Sequence, residues 1–314
     1  MNRLLFGDNQ FFGINHMSEE KARAQAMRFQ KTQAIMDVLD AAYDEGIGTF
    51  MCTTHDRIAE IADRVRSNSA RYADFQFYPC MPYAHKYANA ATEHGMLGAL
   101  GQFMPSDGLW AAALAGGRAL ATREVDAIVR VLIDMEMKMF QGTRTPVIFI
   151  QNVFVDLLLG MGFTRFFRLF HDHVREKYGA EPGYITMNMP MLLAALESEG
   201  IKRPIICSNI NKIGFRMSGG REAYLDILRS GRVRAVAMSV YASGAIPPDE
   251  AIHWISELPG VESIVFGASS AANIRGTKAL IEKYMGPEKY MVPEKYMVPE
   301  KMVPEKYVGE VAYG

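Results

Sequence analysis

Residues 233–275 have the sequence VRAVAMSVYASGAIPPDEAIHWISELPGVESIVFGASSAANIR, which contains two strand-and-helix units in succession. Val233–Tyr241 and Val261–Phe266 are short apolar runs with many β-branched residues, a pattern typical of buried parallel strands. Pro248–Leu258 follows the first run, and residues from about Ala271 follow the second, both with helical spacing. This alternation predicts an α/β fold.

The same unit recurs along the rest of the chain. The other predicted strands are Leu4–Gly7, Ile47–Thr53, Phe75–Cys80, Val147–Val153, Tyr184–Asn188 and Pro204–Ser208. Eight strands, each followed by a helix over roughly 280 residues, favour a (β/α)8 TIM barrel, in which the strands are parallel. A doubly wound open sheet uses the same units, but no Gly-x-Gly-x-x-Gly turn follows the first strand, so we favour the barrel.

We expect one barrel domain over residues 1–284, with an insertion at about residues 82–145 and a tail at residues 285–314. The insertion contains a predicted helix at Arg123–Phe140 and either covers the barrel mouth as a lid or packs only on the outside. In the tail, the sequence PEKYMV recurs with a proline every five or six residues, which prevents a continuous helix. We expect this tail to be mobile or loosely docked.

The composition excludes several classes of protein. Lys and Arg total 34 against 35 for Asp and Glu, so no basic excess favours nucleic acid or an anionic membrane. No run of 18 apolar residues occurs, and the first residues lack a signal-peptide core. The three cysteines are widely spaced and odd in number, which indicates a reduced, cytoplasmic protein. The oligomeric state stays open.

Carboxamide side chains follow several of the predicted strands. In a barrel, the carboxyl ends of the strands form the mouth where chemistry takes place. Amides both donate and accept hydrogen bonds, so a ring of them suits a small, neutral, polar part of a ligand. The predicted binding residues of this kind are Asn9, Gln10, Asn152, Asn188 and Asn209.

Asp8 and His55 are the predicted acid–base pair, because they follow adjacent strands and a carboxylate can orient an imidazole. Asp56 is predicted to cap the next helix. Lys212, beyond the sixth strand, is a candidate Schiff-base lysine.

A metal site is an alternative for the histidines at this mouth. His16, His55 and His85 fall on three successive loops but share no tight motif, so we predict no metal. His171 and His173 are expected on a helix surface.

The segment after the eighth strand predicts an anion site. Gly267, Ser269 and Ser270 lead into a helix whose first N–H groups attract phosphate, and Arg275 lies one turn further on. Gly244, after the seventh strand, fits the same site, since phosphate sites after strands seven and eight recur in this fold. The alternative is an ordinary serine cap on the helix.

Four segments resemble the aldo-keto reductase superfamily. Ala235–Ile246, with Ser239, Tyr241 and Gly244, resembles its seventh strand and loop, and Ser263–Arg275 resembles its eighth strand and the helix that holds the cofactor phosphate. Leu196–Ile201 followed by Cys207-Ser208-Asn209, and the run Gly46–Phe50, resemble two further parts of that barrel. The resemblance implies a barrel, a possible NADP cofactor, Ser208 and Asn209 at the nicotinamide amide, and Tyr241 in the binding site.

The catalytic tetrad of that family, Asp, Tyr, Lys and His, is not retained. The corresponding positions are Met51, Asp56, a residue within Tyr78–Met81, and either Gln151 or Asn152. We therefore predict first a non-redox enzyme, of lyase, isomerase or hydrolase type, acting on a polar and phosphorylated metabolite. The alternatives are an NADP-dependent oxidoreductase resembling the aldo-keto reductases and a non-catalytic ligand-binding barrel.

Overall fold

The computed structural model describes residues 1–13, 19–83 and 123–286. Within these ranges, eight parallel strands run in chain order around a closed barrel, and the last strand pairs with the first. The strands are β1 (Leu4–Gly7), β2 (Thr49–Thr53), β3 (Gln76–Met81), β4 (Val147–Ile150), β5 (Glu181–Thr186), β6 (Ile205–Asn209), β7 (Arg234–Met238) and β8 (Val261–Phe266). The TIM barrel predicted from the sequence is confirmed.

Helices lie between the strands throughout the described ranges. They are α1 (Glu19–Arg28), α2 (Thr32–Asp44), α3 (Asp56–Ser67), α4 (Arg123–Met137), α5 (Asn152–Gly160), α6 (Arg165–Tyr178), α7 (Met189–Ser198), α8 (Arg221–Ser230), α9 (Pro248–Ser256) and α10 (Ala271–Met285). The sequence patterns predict neither α1 nor α5. The first has no apolar stripe, and the second is apolar on most sides, so helical periodicity is weak in both.

The core has two parts, because alternate residues of each strand point to opposite faces. The inward-facing side chains fill the barrel itself and form one apolar cluster: Leu5, Met51, Tyr78, Cys80, Val147, Phe149, Ile185, Ile205, Cys207 and Val236. The outward-facing side chains pack beneath the helices in a larger cluster. Inside the barrel, a Cβ on Gly183 would lie 2.4 Å from the ring of Phe149, so glycine makes room for that ring.

Three strands end earlier than the sequence predicts. β4 stops at Ile150, so Asn152 is the first residue of α5 rather than part of the strand. β5 stops at Thr186, and Asn188 precedes α7. β7 stops at Met238 because Ser239 has a φ of 54°, a left-handed conformation that cannot continue a strand.

The first and last strands of the barrel pair with each other, and this brings the start of the chain close to the end of α10. Leu4 pairs with Ile264 in the parallel ladder between β1 and β8. The guanidinium of Arg3 donates to the carbonyl oxygens of Met285 (2.7 Å) and Gly286 (2.6 Å), which end α10. A cation at this position neutralises the partial negative charge of a helix C-terminus.

The helix that ends the predicted insertion, α4, is bound to α6 by a buried polar contact. Nε2 of His173 lies 2.8 Å from Oδ1 of Asp134, and His173 is buried, so its prediction as a surface residue is wrong. Residues 84–122 of the insertion and 287–314 of the tail, with the predicted lid and mobile tail, lie outside the described residues. In the described ranges, no helix combines the length and apolar character needed to cross a membrane.

Candidate active site

Asp8 lies directly after β1 and is buried, with 6% of its surface exposed. Its Oδ2 accepts hydrogen bonds from the backbone N–H (2.8 Å) and the hydroxyl (2.7 Å) of Thr53, the last residue of β2. Burial raises the pKa of Asp8 to about 6, and the bonds from Thr53 limit this rise because they stabilise the carboxylate. Such a carboxyl gains and loses a proton close to neutral pH, as acid–base catalysis requires.

His55 caps the helix that follows β2. Its Nδ1 accepts a hydrogen bond from the N–H of Arg57 at 3.0 Å, so the capping residue is His55 and not the predicted Asp56, which is the first residue of α3. The imidazole ring stacks on Phe12 with centroids 4.3 Å apart, and the guanidinium of Arg57 lies 4.9 Å from that phenyl ring. Because Nδ1 is an acceptor here, Nε2 carries the proton of the neutral ring.

Asp8 and His55, which are predicted as a pair, have different neighbours in the structure. The Asp8 carboxylate accepts hydrogen bonds from Thr53, and the His55 ring lies against Phe12 and Tyr83. The rings of His55 and Tyr83 are 5.2 Å apart and meet edge to face.

Tyr83 lies near both Asp8 and His55. Burial and the negative charge of Asp8 raise the pKa of its hydroxyl, while the charge of Arg57 lowers it. The phenol therefore lies within electrostatic range of both charges, beside the imidazole of His55. Sequence reasoning missed Tyr83, although it is the second residue after β3 and so stands at the mouth, where a polar side chain is a candidate by position alone.

Two thiols lie close to Asp8 and are inert. Cys52 and Cys80 are buried, and both burial and the charge of Asp8 raise the pKa of each thiol well above its usual value. A protonated thiol is a poor nucleophile, so neither cysteine competes with the acid–base groups.

Gln10 packs between the ends of β1 and β8. Its Nε2 donates to the carbonyl oxygen of Gly7 at 2.8 Å, and a Cβ on Gly267 would lie 2.1 Å from its Oε1. That Oε1 is buried and has no hydrogen-bond partner among the described residues. A buried acceptor without a donor is costly, and the close approach to Gly267 shows that a side chain at that position would displace Gln10.

The predicted anion site is in part an ordinary helix cap. The hydroxyl of Ser270 accepts from the N–H of Asn273 at 3.3 Å. The N–H groups that precede Asn273 in α10, and the half-buried Ser269, are the remaining groups of the predicted anion site at the helix start. Arg275 has a different neighbour from the serines. Its guanidinium lies 3.7 Å from a carboxylate oxygen of Glu45, at the end of α2.

The loop after β7 carries two further predicted residues. Gly244 has a φ of 93°, and no atom lies within 4 Å of where its Cβ would stand, so backbone is open to a ligand there. Tyr241 is half-buried, its hydroxyl lies beside Thr277 of α10, and burial raises its pKa.

The two residues that end β6 point in opposite directions. Ser208 is fully buried, and its hydroxyl donates to the carbonyl of Thr186 (2.7 Å) and lies 3.3 Å from the hydroxyl of Tyr224 on α8. It therefore faces the helices and not the mouth, so its position does not support the predicted contact with a ligand. Asn209 faces inward and donates to the carbonyl of Arg216 at 2.9 Å.

The remaining amides of the predicted ring lie at the starts of helices or are exposed. Asn188 caps α7, where its Oδ1 accepts from the N–H of Met191 at 3.2 Å. Asn152 is half-buried at the start of α5, and Asn9 is exposed.

Lys212 does not fit the role of Schiff-base nucleophile. Its Nζ lies 2.7 Å from Oε1 of Glu250, and 44% of the side chain is exposed. A nucleophilic lysine needs a desolvated amine, whereas this side chain is exposed and its Nζ is bound to a carboxylate. The position of Lys212 does not support the predicted role. His16 and His85 of the metal alternative lie outside the described residues.

No protein-family model matches the sequence, and no curated protein matches it. Two solved structures, each of a proposed aldo-keto reductase from Pseudomonas aeruginosa, are similar over 90% of this chain and 90% of their own. Their TM-scores are 0.56 and 0.57, at 11% and 12% sequence identity. An aldo-keto reductase from a deep-sea metagenome library of the Medee basin is also similar, with a TM-score of 0.49 at 10% identity over 84% of this chain and 91% of its own. The resemblance seen in the sequence extends to the fold: the chain is a divergent barrel built like those of the aldo-keto reductases.

Proposed function

We propose that the protein is an NADP(H)-dependent oxidoreductase that reduces the carbonyl group of a small polar substrate. The acid–base cluster of Asp8, Tyr83 and His55 at the barrel mouth is the observation that carries this proposal. The fold likeness to aldo-keto reductases supports this alternative better than the non-redox enzyme that the sequence favours first.

The β1, β7 and β8 side of the mouth offers groups that fit a phosphate-bearing cofactor. The first N–H groups of α10, together with Ser269 and Ser270, would hold a phosphate, and the open backbone at Gly244 permits close approach. Ser208 faces the helices and would not take part.

When bound, a nicotinamide cofactor supplies the hydride, and the protein must supply a proton to the developing alkoxide. Tyr83 is our proposed donor, because burial and the charge of Asp8 keep its hydroxyl protonated at neutral pH. The charge of Arg57 opposes that effect and makes release of the proton easier. Asp8 and His55 would then return the proton to Tyr83 from solvent.

Oxidation of NADPH in the presence of a panel of aldehydes, ketones and phosphorylated sugars tests this function. Tyr83→Phe should lower kcat by about 10²–10⁴-fold, the usual contribution of a general acid, with little effect on NADPH binding. Tyr43→Phe is the matched control, since that ring packs against Tyr72 and Phe75 away from the mouth. Turnover that Tyr83→Phe leaves unchanged, or a protein that does not bind NADPH, would remove the proposal.

A second candidate function uses the same cluster without a cofactor. A carboxyl with a pKa of about 6 is suited to removing a proton from carbon beside a carbonyl group, as isomerases and lyases do. Incorporation of deuterium from solvent into a substrate without NADPH, lost in Asp8→Asn, would favour this candidate. Binding of NADPH without turnover of any substrate would instead indicate a ligand-binding barrel.

A further inference from the structure

A pocket of about 440 Å³ opens at the end of the barrel opposite to Asp8. It is lined by the last part of α6, the loop before β6 and the first residues of β5 and β7. Because β5 and β7 begin there, this is the N-terminal end of the barrel, whereas Asp8 follows the carboxyl end of β1. The pocket is therefore separate from the proposed active site.

The side chains around this pocket are predominantly cationic. Its walls contain four cations, which are Arg175, Lys202, Arg203 and Arg234. Two carboxylates lie with them, Glu181 in the wall and Glu262 in contact with two of the arginines. Four cations against two carboxylates leave an excess of two positive charges, in a chain whose net charge is −1.

Arg234 is held in place and already neutralised. Its Nε lies 3.0 and 3.2 Å from the two carboxylate oxygens of Glu262, and its Nη1 binds Glu181. Arg203 is 3.8 Å from Glu262 on its other side. These two carboxylates thus balance the two arginines, and the excess charge rests on the other two cations.

Arg175 and Lys202 are exposed, and neither forms an ion pair with a described residue. They stand on different elements, α6 and the loop before β6, and both border the same pocket. Two unpaired cations that border one pocket can bind two anionic groups of one ligand.

His171 adds a polar atom that lacks a partner. Its Nδ1 is buried with no hydrogen-bond partner among the described residues, and it lines the same pocket. Burial and the charges of Arg175 and Arg168 lower the pKa of this imidazole, and only Asp172 opposes them. The imidazole therefore favours its neutral form, and its pKa responds to charges that enter the pocket.

We propose that this pocket binds a small molecule that carries two or more neighbouring phosphate groups, with Arg175 and Lys202 as its cationic contacts and His171 in the wall beside them. The volume lies within the range of roughly 300–1,000 Å³ that is usual for small-molecule sites. Two phosphate groups carry about three to four negative charges, so the excess of two positive charges would attract such a ligand. The site is distinct from the proposed cofactor site, which lies at the other end of the barrel.

Calorimetric titration with inorganic pyrophosphate at constant ionic strength tests the site, with orthophosphate as the comparison anion. Arg175→Ala/Lys202→Ala should weaken pyrophosphate binding about 100-fold, since each charge-assisted contact is worth about tenfold. Arg23→Ala/Arg229→Ala removes two exposed cations elsewhere and should leave binding unchanged. Equal affinity for both anions, or equal weakening in both double variants, would overturn the proposal.

The pKa of His171 provides a local readout. Pyrophosphate should raise it, because a nearby anion favours the imidazolium, and NMR titration of the histidine ring protons would measure the change. Ser270→Glu distinguishes the two ends of the barrel, since it places a negative charge at the start of α10. Pyrophosphate binding that is lost in Ser270→Glu but persists in Arg175→Ala/Lys202→Ala would assign the anion to the other mouth and contradict the proposal.

Discussion

The backbone N–H and the hydroxyl of Thr53 both donate to a single carboxylate oxygen of Asp8, Oδ2. Asparagine could therefore replace Asp8 with its side-chain oxygen in the position of Oδ2 and keep both hydrogen bonds. What the replacement removes is the ability to carry a negative charge and to exchange a proton. The two contributions of Asp8, to stability and to chemistry, can thus be measured separately.

Asp8→Asn should stabilise the protein at pH 7 while abolishing its activity. The pKa of Asp8 is raised from 3.8 to about 6, so between these values the folded protein holds a proton that the unfolded chain has lost. The stability supplied by the neutral carboxyl is thus complete below pH 3.8 and is lost as the pH rises through 6. At about 1.4 kcal/mol for each pKa unit, the loss is about 3 kcal/mol.

Urea denaturation of both proteins at a series of pH values checks this expectation. The free energy of unfolding of the parent, relative to Asp8→Asn, should fall by about 3 kcal/mol between pH 3.8 and pH 7. Other titrating groups cancel in that difference because both proteins contain them. A difference that does not change with pH would show that the pKa of Asp8 is the same in the folded and the unfolded protein.

Thr53→Val should raise the pKa of Asp8 further. The variant removes the hydroxyl donor but keeps the N–H and the shape of the side chain, and the lost hydrogen bond had favoured the carboxylate. The pH range over which stability declines should extend above 6, and any activity that depends on ionised Asp8 should shift to higher pH. An unchanged pH profile would mean that the hydroxyl bond does not control this group.

Ser208→Ala should reduce stability without changing NADPH affinity. The hydroxyl donates to a buried carbonyl and contacts Tyr224, so its loss leaves an unsatisfied acceptor and should cost about 1–3 kcal/mol. Ser270→Ala is the complementary variant, because it removes a group at the start of α10 and should weaken NADPH binding. A large increase in the Kd for NADPH in Ser208→Ala, with stability retained, would place Ser208 in the cofactor site after all.

Gly183→Ala should destabilise the barrel. The added methyl would lie 2.4 Å from the ring of Phe149, and overpacking of this kind costs about 1–3 kcal/mol. Gly276→Ala is the control, since Gly276 lies within α10 with no atom near its Cβ position, and alanine there should stabilise by roughly 0.5–1 kcal/mol. Thermal unfolding of the two variants should shift in opposite directions.

The strands could be predicted from the sequence because most of them are short apolar runs between polar segments. β1 and β8 have the predicted limits, since Asp8 and Gly267 end those runs sharply. The direction of individual side chains could not be predicted. In a parallel barrel both faces of a strand are buried, so apolar residues occur at successive positions and the alternation that would place Ser208 is hidden.

Contacts between residues that are far apart in the chain could not be predicted from the sequence either. Lys212 and Glu250 are 38 residues apart, and nothing in either segment marks the other as its partner. His173 was expected at the surface because His171 and His173, two residues apart on a helix, face different directions. Its partner Asp134 lies on a helix 39 residues earlier. The polar mouth itself was predictable, because the carboxyl ends of all the strands must meet there.

The ladder between β1 and β8 has a consequence for synthesis of the protein. Leu4 pairs with Ile264, so one edge of the first strand lacks its partner until 260 further residues have been made. At about 5–20 residues per second, translation takes roughly 10–50 s to reach that point. During this interval the nascent chain exposes an apolar strand edge, which is a template for pairing with other chains. The ribosome-bound intermediate is therefore the stage at which this barrel is most prone to aggregate and most in need of a chaperone.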